Sequence, residues 1–194
     1  MSEQMSGPQE RTVQQALAAE VARARNTRVD YWHDYRGRTL EPYSEAIGIA
    51  CEVSGAEPDT AEHTAAWLVL VLAGHTGTPL VSAPVREPDQ GRGLSMGRYL
   101  KEALGTHDPL GGHSVASRTR QLYRATTGYA HLDQGHLLKE VTDLIRVGTK
   151  TTDRRPDPLR LHHDLVALFG GRGRQAVHEA VRGWYTDLLT GRRS

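Results

Sequence analysis

Cysteine is nearly absent from this chain: Cys51 is the only one in 194 residues, which excludes an internal disulfide framework and a cysteine-based zinc site. Phenylalanine occurs once and aromatic residues make up 6% of the chain, so a core has to be built from aliphatic side chains and alanine. No apolar run approaches the roughly 18 residues that cross a bilayer; the longest, Ala65 to Ala73, fits a buried helix. The start of the chain lacks a basic stretch followed by an apolar one, so no signal peptide is expected. The expectation is a cytoplasmic protein with no membrane partner. Neither G-x-x-x-x-G-K-S/T nor H-E-x-x-H occurs, which removes the phosphate-cradling loop and the zinc-protease helix. Strand-like alternation of apolar and polar residues is missing as well.

What is present is helical periodicity. Residues 1–11 are polar and expected to be disordered. From Thr12 to about Tyr35, Val13, Leu17, Val21 and Ala24 recur on one face. Glu41 to Val53 follows, with Pro42 in its first turn, and Ser54 to Asp59 is a turn. Thr60 to Gly74 contains the apolar run, and a helix apolar nearly all round belongs at the centre of a bundle; Trp67, Leu70 and Val71 are its expected core. His75 to Arg92 holds three prolines and reads as loop. Met96 to Leu104 is helical, then Ser114 to about Thr127, with Val115, Thr119, Leu122 and Thr126 inward, Arg118 at the border and Arg120 and Arg124 outward. Leu132 to Val147 turns Leu137, Leu138, Val141, Leu144 and Ile145 inward and Lys139 and Arg146 outward. Gly148 to Pro158 reads as a polar loop, Leu159 to Phe169 as a short helix ended by Gly170 and Gly171, and Arg172 to Leu189 as the last helix. The fold class is all-α, a bundle of about eight helices.

The near-zero net charge of +1 conceals an asymmetry: residues 1–113 hold 10 Lys and Arg against 15 Asp and Glu, and residues 114–194 hold 14 against 8. A basic second part on a near-neutral chain points to a polyanionic partner held by one end.

Gly93-Leu94-Ser95-Met96-Gly97 reads G-x-S-x-G, the pattern of the serine-hydrolase nucleophile elbow. An elbow requires a strand directly before the serine, whereas Arg86 to Arg92 is a polar loop. Ser95 therefore reads better as the N-cap of the Met96 helix, with a serine hydrolase as the alternative. His162, His163, His131 and His136 are candidate metal ligands by residue type. Neighbouring helical positions point about 100° apart, the pair five apart is off-face, and no cysteine joins them, so solvated helix histidines are expected.

Four stretches taken together resemble a known family: Gly93-Leu94-Ser95-Met96-Gly97-Arg98-Tyr99-Leu100; Arg118 through Gln121-Leu122-Tyr123-Arg124-Ala125; His136-Leu137-Leu138-Lys139 to Leu144; and Leu165 to Gln175 with Phe169-Gly170-Gly171-Arg172-Gly173-Arg174-Gln175. In order and spacing they are similar to CasB, the small subunit of the type I-E CRISPR Cascade surveillance complex, over roughly residues 93–189. The chain departs from the family in a longer loop from Glu102 to His113 and in Gly171 and Gly173 at the start of the last helix. The resemblance implies two small helical subdomains, here residues 12–92 and 93–194, and no catalytic residue, cofactor or metal. Its implied partners are crRNA, the target and displaced DNA strands, other Cascade subunits and a second copy of the chain. Carried over position by position, it implies nucleic-acid contacts at Arg98, Arg118, Arg124, Lys139, Arg172 and Arg174. The helical wheels place Arg124 and Lys139 outward independently. Arg172 and Arg174 open a helix, where the dipole disfavours cations while the free amides attract anions. Tyr99, Tyr123 and Tyr129 are the rings near these positions, Tyr123 reading as core. A free-standing helical DNA-binding regulator is the remaining alternative.

Overall fold

The computed structural model describes residues 12–27, 45–58, 60–74, 80–82, 94–105, 141–146, 149, 152–170 and 183. Among these residues six helices pack together and no sheet is present: α1 Val13–Thr27, α2 Glu45–Ser54, α3 Ala61–Ala73, α4 Met96–Gly105, α5 over residues 141–146, and α6 Pro158–Gly170. The all-α class holds. Among the described residues, no helix is long and apolar enough to cross a membrane.

α3 is the hub, packing against α1, α2 and α6. Every residue from His63 to Ala73 is buried, including Trp67, Leu70 and Val71, as the all-round apolar sequence predicts. Its ends are set locally. The Thr60 hydroxyl accepts from the His63 amide at 3.2 Å, and the Gly74 amide donates to the Leu70 carbonyl at 2.9 Å. α1 opens on a reciprocal capping box: the Gln15 amide donates to the Thr12 hydroxyl at 3.3 Å, and the Thr12 amide to Gln15 Oε1 at 3.2 Å. Leu17, Val21 and Ala24 are buried as expected. Val13 is instead exposed, because it is the first helical residue, a full turn ahead of the buried stripe. α2 ends at Gly55, whose φ of 63° lets its amide donate back to the Cys51 carbonyl at 2.8 Å, a left-handed C-cap that glycine adopts without steric penalty.

Buried residues from α1 through α6 belong to one apolar cluster. It includes Leu80 and Val81 from the stretch read as loop, and Leu94, Met96, Tyr99, Leu100, Val141, Leu144, Ile145, Leu161 and Leu165. The described residues on the two sides of the 92/93 boundary therefore pack against one another, chiefly through α3 and α6.

A three-chain clasp organises the start of α4 and α6. Leu94 and Pro156 form an isolated parallel bridge, with the Asp157 amide donating to the Leu94 carbonyl at 3.1 Å. On the other side the Ser82 amide donates to the Pro156 carbonyl at 2.9 Å and its hydroxyl to the Arg155 carbonyl at 3.0 Å. The end of the expected polar loop is thus an ordered, partly buried segment: Pro156, Asp157 and Pro158 are all buried. Asp157 then caps α6, its Oδ1 accepting from the amides of Leu159 and Arg160, both at 3.0 Å, with Pro158 at the first helical position, where its missing N–H costs nothing.

Candidate nucleic-acid interface

Of the expected contact residues, Arg98 lies among the described residues; Arg118, Arg124, Lys139, Arg172 and Arg174 lie outside them, as do Tyr123, Tyr129, His131 and His136. Arg98 is half-buried in the first turn of α4. Its backbone amide donates to the Ser95 hydroxyl at 3.3 Å, and the Tyr99 amide to the Ser95 carbonyl at 2.8 Å. Ser95 is therefore the N-cap of α4. The residue before it, Leu94, makes an isolated bridge to Pro156, whereas an elbow nucleophile sits directly after a strand.

Tyr99 is a core residue. It is fully buried, and its hydroxyl donates to the Ile145 carbonyl at the other side of the cluster. Burial pushes its pKa up to about 12, with the Arg155 guanidinium working in the opposite direction. A ring without an exposed face offers no platform for a base, so Tyr99 is removed from the candidate stacking rings. Its place three residues after Met96 already put it on the apolar stripe of α4.

Arginines that the motif comparison passed over stand beside this helix. Arg155 is half-buried and turned onto its own backbone, Nη1 donating to the Thr152 and Arg154 carbonyls at 2.5 and 2.9 Å. Arg154 reaches across to α4, its Nη1 2.6 Å from Glu102 Oε1, with side chains 57% and 36% exposed. Glu102 follows Arg98 by four residues, so the two share a helix face. Arg160, at the third position of α6, is exposed. The available signal was the adjacent pair Arg154-Arg155 before Pro156, part of the basic excess of residues 114–194.

The histidine pair splits. His163 is exposed, with Nδ1 3.7 Å from Asp164 Oδ1. His162 is buried against α3, not solvated as expected; it lies next to Leu161 on the core side of α6. Burial pulls its pKa down, a hydrogen bond to the Glu62 backbone holds it up, His163 lowers it and the Glu62 charge raises it. Among the described residues no three His, Cys, Asp or Glu side chains gather into a metal-holding group. Burial, and then Glu57, push the Cys51 thiol up, away from the thiolate range of a reactive cysteine.

Among the described residues, α4 and residues 152–160 carry Arg98, Lys101, Arg154, Arg155 and Arg160 against Glu102, Asp153 and the buried Asp157, which is committed to the α6 cap. Cationic side chains of this kind can hold phosphate groups by charge, a contact that carries no base sequence information. Compared with protein-family models, curated proteins and solved structures, the chain matches none.

Proposed function

We propose that this chain is a non-catalytic, nucleic-acid-binding subunit of a type I-E CRISPR Cascade complex, acting in the cytoplasm in antiviral defence. In this reading about eight helices form two small subdomains, residues 12–92 and 93–194. The second presents Arg98, Arg118, Arg124, Lys139, Arg172 and Arg174 to crRNA or to the target and displaced DNA strands. The observation that carries the reading is the order and spacing of the four motif stretches between Gly93 and Gln175, joined to the basic excess of the same half of the chain. The start of α4 supports it over the hydrolase alternative, because the Ser95 hydroxyl oxygen accepts from the Arg98 amide as a helix N-cap does.

Phosphate contacts alone give modest, salt-sensitive affinity. Two copies on one strand, held by other subunits, gain effective concentration without new contact types. The isolated protein is therefore expected to bind nucleic acid weakly and without sequence preference, and to stabilise the opened target DNA once assembled. The test is to assemble the ribonucleoprotein with and without this chain and measure target binding and R-loop lifetime. Shortened lifetime on omission is the expected result. Unaltered R-loop formation, or nanomolar binding of one duplex sequence by the lone protein, overturns the proposal, and the second outcome identifies a free-standing regulator.

A further inference from the structure

We infer that residues 154–160 form a further phosphate-contacting surface for a single-stranded nucleic-acid backbone, with Arg154 and Arg160 as contact residues and Glu102 as a built-in competitor for Arg154. The inference deepens the nucleic-acid reading above and rests on it.

Two observations converge on this segment. First, it displays open cationic donors. A guanidinium carries five N–H groups, and Arg154 uses only its Nη1 end, on Glu102. Arg160 is exposed, and among the described residues its side chain has no hydrogen-bond or ion-pair partner. Second, the display is rigid. Between the two arginines, the backbone is fixed by both Ser82 bonds, by the Asp157 amide on Leu94 and by the Asp157 carboxylate on α6. Little ordering is left to be done on binding, which is the usual loss when a loop meets a ligand. Arg160 sits in the first turn of α6, where the helix dipole opposes a cation and the Asp157 carboxylate at the N-cap offsets that cost. The helix terminus itself is not the binding element, since Asp157 already occupies the Leu159 and Arg160 amides.

Glu102 sets the strength of this surface. The Arg154–Glu102 pair is exposed, and exposed pairs are weak and screened by salt. A phosphate can displace the carboxylate, but until it does the carboxylate offsets part of the positive field. Removing either member of the pair therefore has opposite consequences for a polyanion, although both changes break the same contact.

The experiment uses the full chain, with fluorescence anisotropy of oligo-dT and oligo-rU across a salt series to separate DNA from RNA strands. Arg154→Ala and Arg160→Ala should each lower the slope of log affinity against log salt by about 0.7, and the double variant by about 1.4. Glu102→Gln should tighten binding. Loss on either probe supports the surface and names its strand. If Glu102→Gln weakens binding as Arg154→Ala does, the pair is only a structural clip and the inference falls. Unchanged slopes in the double variant, with binding otherwise intact, overturn this surface and leave the broader reading standing. Absence of binding to both probes by the unaltered chain at low salt counts against the nucleic-acid reading as a whole.

Discussion

α3 and the segment 152–160 hold the same molecule together by different means. α3 is buried from His63 to Ala73 and contributes through apolar area, packing against helices on several sides at once. The segment has few apolar side chains and contributes through hydrogen bonds, to Ser82, to Leu94 and to the first amides of α6. Burial is non-directional and survives small shifts. A clasp of hydrogen bonds is directional and fixes where the chains lie, though each bond adds only about 1 kcal/mol net. The first region supplies stability, the second registration. The largest effect should follow from a cavity in α3. Leu70→Ala should cost about 2–5 kcal/mol by the loss of transfer energy plus the hole left behind, read by chemical denaturation. A cost below about half a kcal/mol would mean that this side chain is covered by something other than the core.

The clasp should respond more modestly and with chemical selectivity. Asp157→Ala removes the oxygen that accepts from Leu159 and Arg160, a loss of about 0.5–2 kcal/mol for an N-cap. Asp157→Asn keeps an oxygen in place and should recover most of that stability, because asparagine caps as well as aspartate. If the two variants melt alike, Asp157 acts through something other than the cap.

This contrast also explains what could be read from sequence. Thr60, Gly74 and Ser95 were legible as helix boundaries because a cap acts within a few residues of itself. The centre of α3 was legible because nine consecutive apolar or alanine residues, Ala65 to Ala73, admit no solvent face. Asp157-Pro158 carries the same kind of local signal for α6, which starts at Pro158, one residue before the start that the apolar periodicity predicts. The clasp was not legible. Ser82 and Arg155 are 73 positions apart, and Arg154 and Glu102 are 52 apart, and no periodicity encodes such a pairing. Tyr99 is near the basic residues in sequence, but its helical phase puts it with Met96 and Leu100, and all three are buried. Of the expected contact residues, Arg98 is the one the described structure places, in the first turn of α4.

The smallest effect should come from His162, which lies where the two regions meet, on α6 and against α3. Its pKa is lowered from 6.5, first by burial, with His163 adding to the lowering and both the backbone bond and the charge of Glu62 opposing it. A folded-state pKa below the unfolded value means that the unfolded chain takes up the proton first. The stability associated with neutral His162 is therefore intact above pH 6.5 and is lost as the pH falls from there toward the lowered folded value. One such group changes stability by less than about 1 kcal/mol between pH 7 and 6, because at most one proton is involved and the unfolded state is only partly protonated over that range. The other histidines titrate too, so the informative quantity is a difference. Stability measured at pH 7 and at pH 6 should fall less in His162→Gln than in the unaltered chain, since glutamine can keep a donor toward the Glu62 carbonyl and carries no proton to gain. Equal falls in the two proteins would show that His162 is as free to protonate in the folded chain as in the unfolded one, and that the contact between α3 and α6 is looser there than its burial indicates.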